Sequence, residues 1–546
     1  MTPTRSLRTT LAALGISLIS ACGGADQHAP SILEQPADVS VAEGGNASFS
    51  VVAAGDNPLQ YAWLNGADSL PIAGESLATL ARDAVSLAIG GQTVKARVTN
   101  PAGEVVSRTA TLTVSERAWS AGVEVVAGSA RNVATVVDSN GHTHLLSVIG
   151  DDAQAEVRAH VKLRSTNSTL PNPLTALTVL QASEPLTQPT TSLSLAANGA
   201  GHVMAVWHRN GIVRAALYTP AGSPATAGTW RLLATQVSGL NSSNASDPAV
   251  AAVGNTGFEF VWREKVGSNE QRDVVARRYT IAGDNLDSQI VSIESSSEEP
   301  QAPRLVADAA GNMLAAWRFA NAGMVINRRL QGNAWSSSTT VVEGVGQELE
   351  QLKCNAAGKA LMLISNRLGS AGFLQFDLAA PSPLTGTGGI PAYGSAPDGH
   401  VFPDGAMRVF VVSVDANNGN SSRLVQWRFA PPFGWGGPEP VSEISSHDFI
   451  GTGLGVRNPQ VAGADAAGNL LVTWEERDTA SGGRGRIAAR RFHAGLNAWR
   501  GVAEVAPQTS SVVDQRAPVA AIAPDGSATL VFKDQLGGTL KGVHLR

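Results

Sequence analysis

The feature that most constrains this chain is a unit that recurs through residues 117–546. An apolar strand enters a turn of Asx or Pro followed by Gly, and a second apolar strand then closes on an aromatic residue. The clearest copies are LAANGAGHVMAVW (195–207), LVADAAGNMLAAW (305–317) and AGADAAGNLLVTW (462–474). Counting weaker copies, the turn glycines read as Gly141, Gly201, Gly257, Gly311, Gly358, Gly405, Gly468 and Gly526, about 55 residues apart. The aspartates in these turns are expected to hydrogen-bond their own backbone rather than bind metal.

Third strands follow most pairs, for example GIVRAALYT, DVVARRYT and RIAARRF, and a fourth often opens on its own tryptophan. Trp207, Trp262, Trp317 and Trp474 end second strands; Trp230, Trp335, Trp435 and Trp499 open fourth strands. Trp427 falls in a third strand. The last unit stops after its third strand, whereas RAWSAGVEVVAG (117–128), around Trp119, has the fourth-strand pattern and stands before the first unit. Pairing the two would close a ring and remove the open edges of a linear array. The expectation is an all-β chain with a β-propeller over 117–546, of eight blades or seven, closed by an N-terminal strand. The architecture resembles bacterial sialidase-like or BNR-like surface propellers in pattern only. Asp308-Ala309-Ala310-Gly311 and Asp465-Ala466-Ala467-Gly468 lack the serine and spacing of the sialidase box.

Residues 30–115 show short alternating strands. Ala47, Phe49, Val51 and Ala53 share a face, Trp63 follows, and Val94, Ala96 and Val98 alternate before an Asn100-Pro101-Ala102-Gly103 turn. QPADVSVAEGG, YAWLNG, VKARVTNPAG and TLTV stand in an order that resembles an immunoglobulin-like sandwich of the I-set type. That resemblance puts Val51 and Ala96 in the places of the paired cysteines and Val94 in that of the corner tyrosine. It implies a spacer, with Trp63 packed on aliphatic groups.

Arg5 and Arg8 precede an uncharged apolar run, Leu11 to Ala21, that spans about 16 Å as a helix, half of a hydrocarbon core. Residues 1–21 therefore read as a cleavable export signal. Ile19-Ser20-Ala21-Cys22 resembles the bacterial lipobox, which implies a lipidated Cys22, a membrane anchor and a short linker over 22–29. Gly23, where the family's inner-membrane retention signal has Asp, points to the outer membrane. Cys354 is the only other cysteine and has no flanking His or acid, so it is expected to be a buried structural thiol.

The chain carries no P-loop, HExxH, GxSxG or CxxC motif. Asp415 to Asn420 begins like a calcium loop but lacks the glycine and the acid at its sixth and twelfth places. A net charge of −5 gives no reason to expect nucleic acid. No catalytic residue, metal site or cofactor is assigned, and a monomer is expected. Charged side chains do recur directly after the second-strand aromatics: His208, Arg209, Arg263, Glu264, Arg318, Glu475, Glu476 and Lys533. In a ring these would gather near one rim, where loops build ligand sites. Adjacent Glu475 and Glu476 face opposite sides of a strand and cannot form a glycosidase pair by themselves. The expected function is a non-enzymatic envelope lipoprotein that binds a glycan or protein partner. The alternative is a carbohydrate-active hydrolase of the sialidase-like group.

Overall fold

The computed structural model describes residues 27–546 apart from 121–123, 151–154, 165–175, 185–191, 224, 240–243, 267–270, 295–296, 322, 345, 367–369, 394–396, 416–420, 443–454, 478–484, 506–514 and 535–538. The export signal, Cys22 and most of the candidate calcium loop lie outside the described residues. Among those described, the chain is all-β, built of many small and mostly antiparallel sheets, with two single 3-10 turns and no α-helix. It divides into two compact units, with the boundary between Ser115 and Glu116.

In the first unit, strands Val39–Ala42, Ala110–Ser115, Thr93–Asn100 and Gln60–Asn65 lie side by side, with Gly103–Val106 on Thr93–Asn100. Ala47–Ser50 pairs separately with Thr79–Arg82. The alternation read from the sequence puts Phe49, Val51, Leu80, Val94, Ala96 and Leu112 in one core around Trp63, which is fully buried. The indole N–H of Trp63 donates to the Leu77 carbonyl at 3.0 Å. Val51 and Ala96 thus fill space beside the indole without a covalent bridge.

The second unit repeats one plan. We number its sheets by their first strands: sheet 2 from Leu193–Ala197, sheet 3 from Ser246–Val253, sheet 4 from Pro300–Ala307, sheet 5 from Gln347–Cys354, sheet 6 from Asp398–Val401 and sheet 7 from Gly455–Ala464. Each is an antiparallel meander in chain order. The remaining strands form one seven-stranded sheet in which Glu124–Val137 is paired on both sides. Its second half pairs with Thr143–Gly150 and begins sheet 1; its first half pairs with Thr539–Leu545 and completes sheet 8, whose first strand is Gln515–Ile522. Just before it, Ala118 and Arg546 exchange backbone hydrogen bonds of 2.9 and 3.0 Å, and Trp119 bridges Leu545.

Every sheet buries both faces, which is why the second strands read as unbroken apolar runs; Val203–Arg209 is buried at every position. The layers are shared in sequence. Trp207 belongs to the layer between sheets 1 and 2, Trp262 to that between 2 and 3, Trp317 to that between 3 and 4, and Trp474 to that between 6 and 7. The series returns to its start, since Ala130, Leu145 and Ile149 of sheet 1 pack with Val531 and Leu540 of sheet 8.

The turns explain the Asx-to-Gly signature. Asp308 Oδ1 accepts the Asn312 amide at 2.8 Å while Gly311 takes a positive φ of 88° and donates to the Asp308 carbonyl. Asp138, Asn198, Asn355 and Asp465 accept from the corresponding amide in their own turns. Successive turns are also tied together, for example Ala309 N to Ala356 O at 3.0 Å and Ala466 N to Pro524 O at 2.9 Å. One expected turn glycine is corrected. In sheet 3 the positive φ, 52°, belongs to Gly254, whereas Gly257 opens the second strand. A Cβ at Gly257 would lie 2.2 Å from the Tyr279 carbonyl oxygen, so there the glycine serves close strand approach rather than a turn.

Candidate functional site

The first strands of sheets 3, 4, 7 and 8 carry Asp247-Pro248, Ala302-Pro303, Asn458-Pro459 and Ala517-Pro518 at one register. Proline cannot donate to a ladder, and each pair coincides with a shift in strand pairing. Asp247, Ala302 and Asn458 take φ values of 52°, 46° and 47°. Sheet 1 has the same shift between Ala130 and Val133. These bulges mark the entry ends of the first strands, opposite the Asx turns.

Four of the charged residues expected at a rim, Arg263, Arg318, Glu475 and Lys533, are tied to first strands at or beside these shifts. Arg263 donates from Nε to Asp247 Oδ2 at 2.7 Å and from Nη1 to the Pro300 carbonyl of the next sheet at 2.9 Å, with Glu299 at 3.3 Å. Arg318 donates to Gln301 on its own first strand and pairs with Glu348 of sheet 5 at 3.2 Å. Glu475, buried, accepts from Asn458 Nδ2 at 3.1 Å, and Glu476 pairs with Arg486 at 3.4 Å. Lys533 donates to the Arg131 carbonyl, joining sheet 8 to sheet 1. Glu264 is buried and accepts from Trp262 Nε1 at 2.7 Å and from the Gly239 amide at 3.1 Å. His208 and Arg209 are 3% and 2% exposed. Burial, reinforced by Arg263 and Arg272 and opposed by Asp247, lowers the His208 pKa. The eight are therefore not one exposed array: His208, Arg209, Glu264 and Glu475 are buried, and Arg263, Arg318 and Lys533 are tied to first strands. Their common register has a structural cause, since a bulged strand leaves backbone and side-chain groups that need partners.

In front of them the bulged strands line a cavity of about 560 Å³, contributed by sheets 1 to 5. Its chemistry is polar and carries two cations, Arg304 and Lys353. The Arg304 side chain makes no hydrogen bond or ion pair among the described residues. Arg304 is exposed to solvent through the cavity, and the protein crowded around it lowers its pKa against the raising influence of Glu350 and Asp247. Lys353 stands 3.5 Å from Asp398, a buried acid that also accepts the Gly399 and Val461 amides at 2.8 Å. Gln351, Ser192 and Ser194 add amide and hydroxyl groups. The lining carboxylate, Asp247, is already engaged. Burial works to raise its pKa, but Arg263 and hydrogen bonds from Ser192 and Ser246 outweigh it and hold the carboxyl below its usual value.

Arg304, Lys353, Gln351 and Asp247 were not among the sequence candidates. For Asp247 and Arg304 the signal that could have found them is the recurring X-Pro within an apolar strand, because a bulge re-aims its neighbours; Gln347–Cys354 has no proline, and nothing in its sequence marks Gln351 and Lys353. No group of three or more His, Cys, Asp or Glu side chains among the described residues is placed to hold a metal ion. Cys354 is half-buried; burial pushes its thiol up to about 12, and it donates to the Asn355 carbonyl at 3.2 Å.

No protein-family profile matches the chain, and no curated protein matches it. Among solved structures, it is similar over 16% of its length to a chimeric titin Z1Z2 functionalized with a KLER exogenous peptide from decorin, at 26% identity, 97% coverage of that chain and a TM-score of 0.15. It is similar to a protein of unknown function from Dyadobacter fermentans DSM 18053 at 13% identity, covering 55% of this chain and 94% of that one with a TM-score of 0.32. A third likeness is to SapL1 lectin in complex with alpha methyl fucoside, at 9% identity over 58% and 98% of the two chains, with a TM-score of 0.34. With TM-scores this low, the three likenesses carry no argument about this chain.

Proposed function

We propose that the chain is a non-enzymatic envelope lipoprotein, anchored through Cys22 and addressed to the outer membrane. Its second unit is an eight-bladed β-propeller that binds an acidic glycan in the first-strand cavity, and its first unit is an immunoglobulin-like spacer. The propeller reading is supported by eight sheets in cyclic contact and by the strand shared between the first and last of them. The observation that carries the binding reading is Arg304, a cation that makes no hydrogen bond or ion pair among the described residues and shares its cavity with Lys353, with hydroxyl and amide groups, and with an Asp247 already engaged by Arg263. Such a lining suits a hydroxyl-rich ligand that brings a negative charge. Hydrolysis by a carboxylate pair would ask for two acids roughly 5–9 Å apart, and Asp247 is committed to Arg263.

The test is binding of the full chain to an array of neutral and acidic glycans. Acidic glycans should be retained, and Arg304→Met should weaken that retention on the order of tenfold to a hundredfold, the worth of a charge-assisted hydrogen bond. Folding stability should be unchanged, since Arg304 holds nothing. Retention undiminished in the variant, or turnover of the bound glycan, would overturn the reading. The anchor is tested separately: palmitate should label the protein in the producing cell, and Cys22→Ala should abolish the label.

A further inference from the structure

Arg408 is a buried charge at a place where other sheets bury neutral or titratable groups. Three residues after the turn glycine, sheets 2, 4, 5 and 7 have Met204, Leu314, Leu361 and Leu471 and sheets 1 and 8 have His144 and Thr529, whereas sheet 6 has an arginine that is 9% exposed. A buried guanidinium is expensive unless something offsets its charge. Among the described residues its one hydrogen bond is from Nη1 to the neutral Gln426 Oε1 at 2.9 Å. The nearest acid is spoken for, because Glu439 accepts from Gln426 at 2.7 Å and pairs with Arg428. What surrounds Arg408 instead is aromatic: its guanidinium lies 3.7 Å from the ring centre of Phe492 and 5.9 Å from that of Phe402. Burial, with Arg428 adding and Glu439 opposing, lowers its pKa to about 10, so it stays charged at neutral pH.

The same arginine lines a groove of about 1000 Å³ at the turn ends of sheets 5 to 7, the opposite strand ends from the first-strand bulges. Phe429, Trp435 and Phe433 share the groove, and Phe433 is 89% exposed, apolar area left facing water. The other polar groups do not neutralise Arg408. His400 is pushed down to about 4 by burial, with Lys353 adding to the effect, and is uncharged. Asp404 accepts the Ala406 amide at 2.9 Å and Asp465 the Ala467 and Asn469 amides at 3.0 and 2.9 Å, and neither acid makes a hydrogen bond or ion pair with Arg408 among the described residues.

We propose that this groove is a second binding site, for a small amphipathic carboxylate whose charge meets the unused N–H groups of Arg408 and whose ring body lies against Phe429, Phe433 and Trp435. The site is independent of the glycan reading and uses none of the cavity residues.

The experiment is calorimetric titration of the full chain with 2-naphthoate and with 2-naphthamide, a neutral probe of the same shape. Naphthoate should bind at least tenfold more tightly, and Arg408→Met should erase that preference. Phe433→Ala, a change at an exposed side chain, should weaken both probes by a similar factor of several-fold. Arg304→Met should leave naphthoate binding unchanged, which separates this site from the cavity. Equal affinity of the two probes for the parent protein, no binding of naphthoate at millimolar concentration, or a preference that survives Arg408→Met would overturn the proposal. The comparison of probes on the parent protein stands even where Arg408→Met fails to fold.

Discussion

Trp262→Ala is expected to destabilise the second unit by about 3–5 kcal/mol from lost packing and the cavity left behind. The indole is fully buried in the layer between sheets 2 and 3, a layer that also holds Met204, Val206, Phe260 and Tyr279. It does more than fill space, because its Nε1 donates to Glu264, which is itself buried and also holds the Gly239 amide. Against a typical total of about 5–15 kcal/mol, the loss is a large share of the fold's stability. A phenylalanine control separates the two contributions. Trp262→Phe keeps most of the ring but takes one hydrogen bond from the buried Glu264 carboxylate and leaves it the Gly239 amide, whereas Trp317 Nε1 has no partner among the described residues, so Trp317→Phe removes none. Trp262→Phe should therefore cost about 1–3 kcal/mol more than Trp317→Phe. Denaturant midpoints of the variants measure both differences; an alanine variant within about 1 kcal/mol of the parent would refute the packing argument.

Removing residues 539–546 should have an effect larger still, loss of the cooperative fold of the whole second unit. The deleted strand supplies Leu540, Val543 and Leu545, all buried, and the register that joins Glu124–Val137 to sheet 8. Without it, Ala528–Asp534 becomes an open edge and the layer between sheets 8 and 1 loses Leu540. An array of sheets in which each is covered by the next has no stable end unless the series closes or is capped. The truncated chain should show aggregation on size-exclusion chromatography and rapid proteolysis beyond residue 116, while the first unit, with its own core around Trp63, resists. A truncated chain that melts cooperatively within a few degrees of the parent would show that the shared strand is dispensable.

Local features were legible because their causes are local. An Asx side chain three residues before a glycine reports its own turn, as Asp308 and Asp465 do, and an apolar run ending in tryptophan reports a strand covered on both faces. The exception, Gly257, shows the limit: two glycines close together both permit a turn, and only the Tyr279 backbone, across the strand pair, decides which of them makes it. The charged register was visible too, but its meaning was not. Arg263, Arg318 and Glu475 look alike in sequence to ligand-binding residues on a rim, and the partners that occupy them come from first strands 16 or 17 residues away and from neighbouring sheets.

The sequence alone determined the repeat, its all-β character, the turn chemistry, the tryptophan positions and the strand left over at residue 119, since each depends on residues within about one hairpin of one another. Only the tertiary structure decided which polar side chains are spent on the fold and which remain free. Arg263 and Arg304 are both arginines near the entry of a first strand; one is held by Asp247 and Pro300, and the other faces a cavity with no hydrogen-bond or ion-pair partner among the described residues. Arg408 likewise becomes conspicuous only once Glu439 is seen to belong to Arg428. Such differences rest on which side chains meet across strands and between neighbouring sheets, and burial, which turns an unmet charge into a large energy, is a property of the assembled sheets and not of any segment within them.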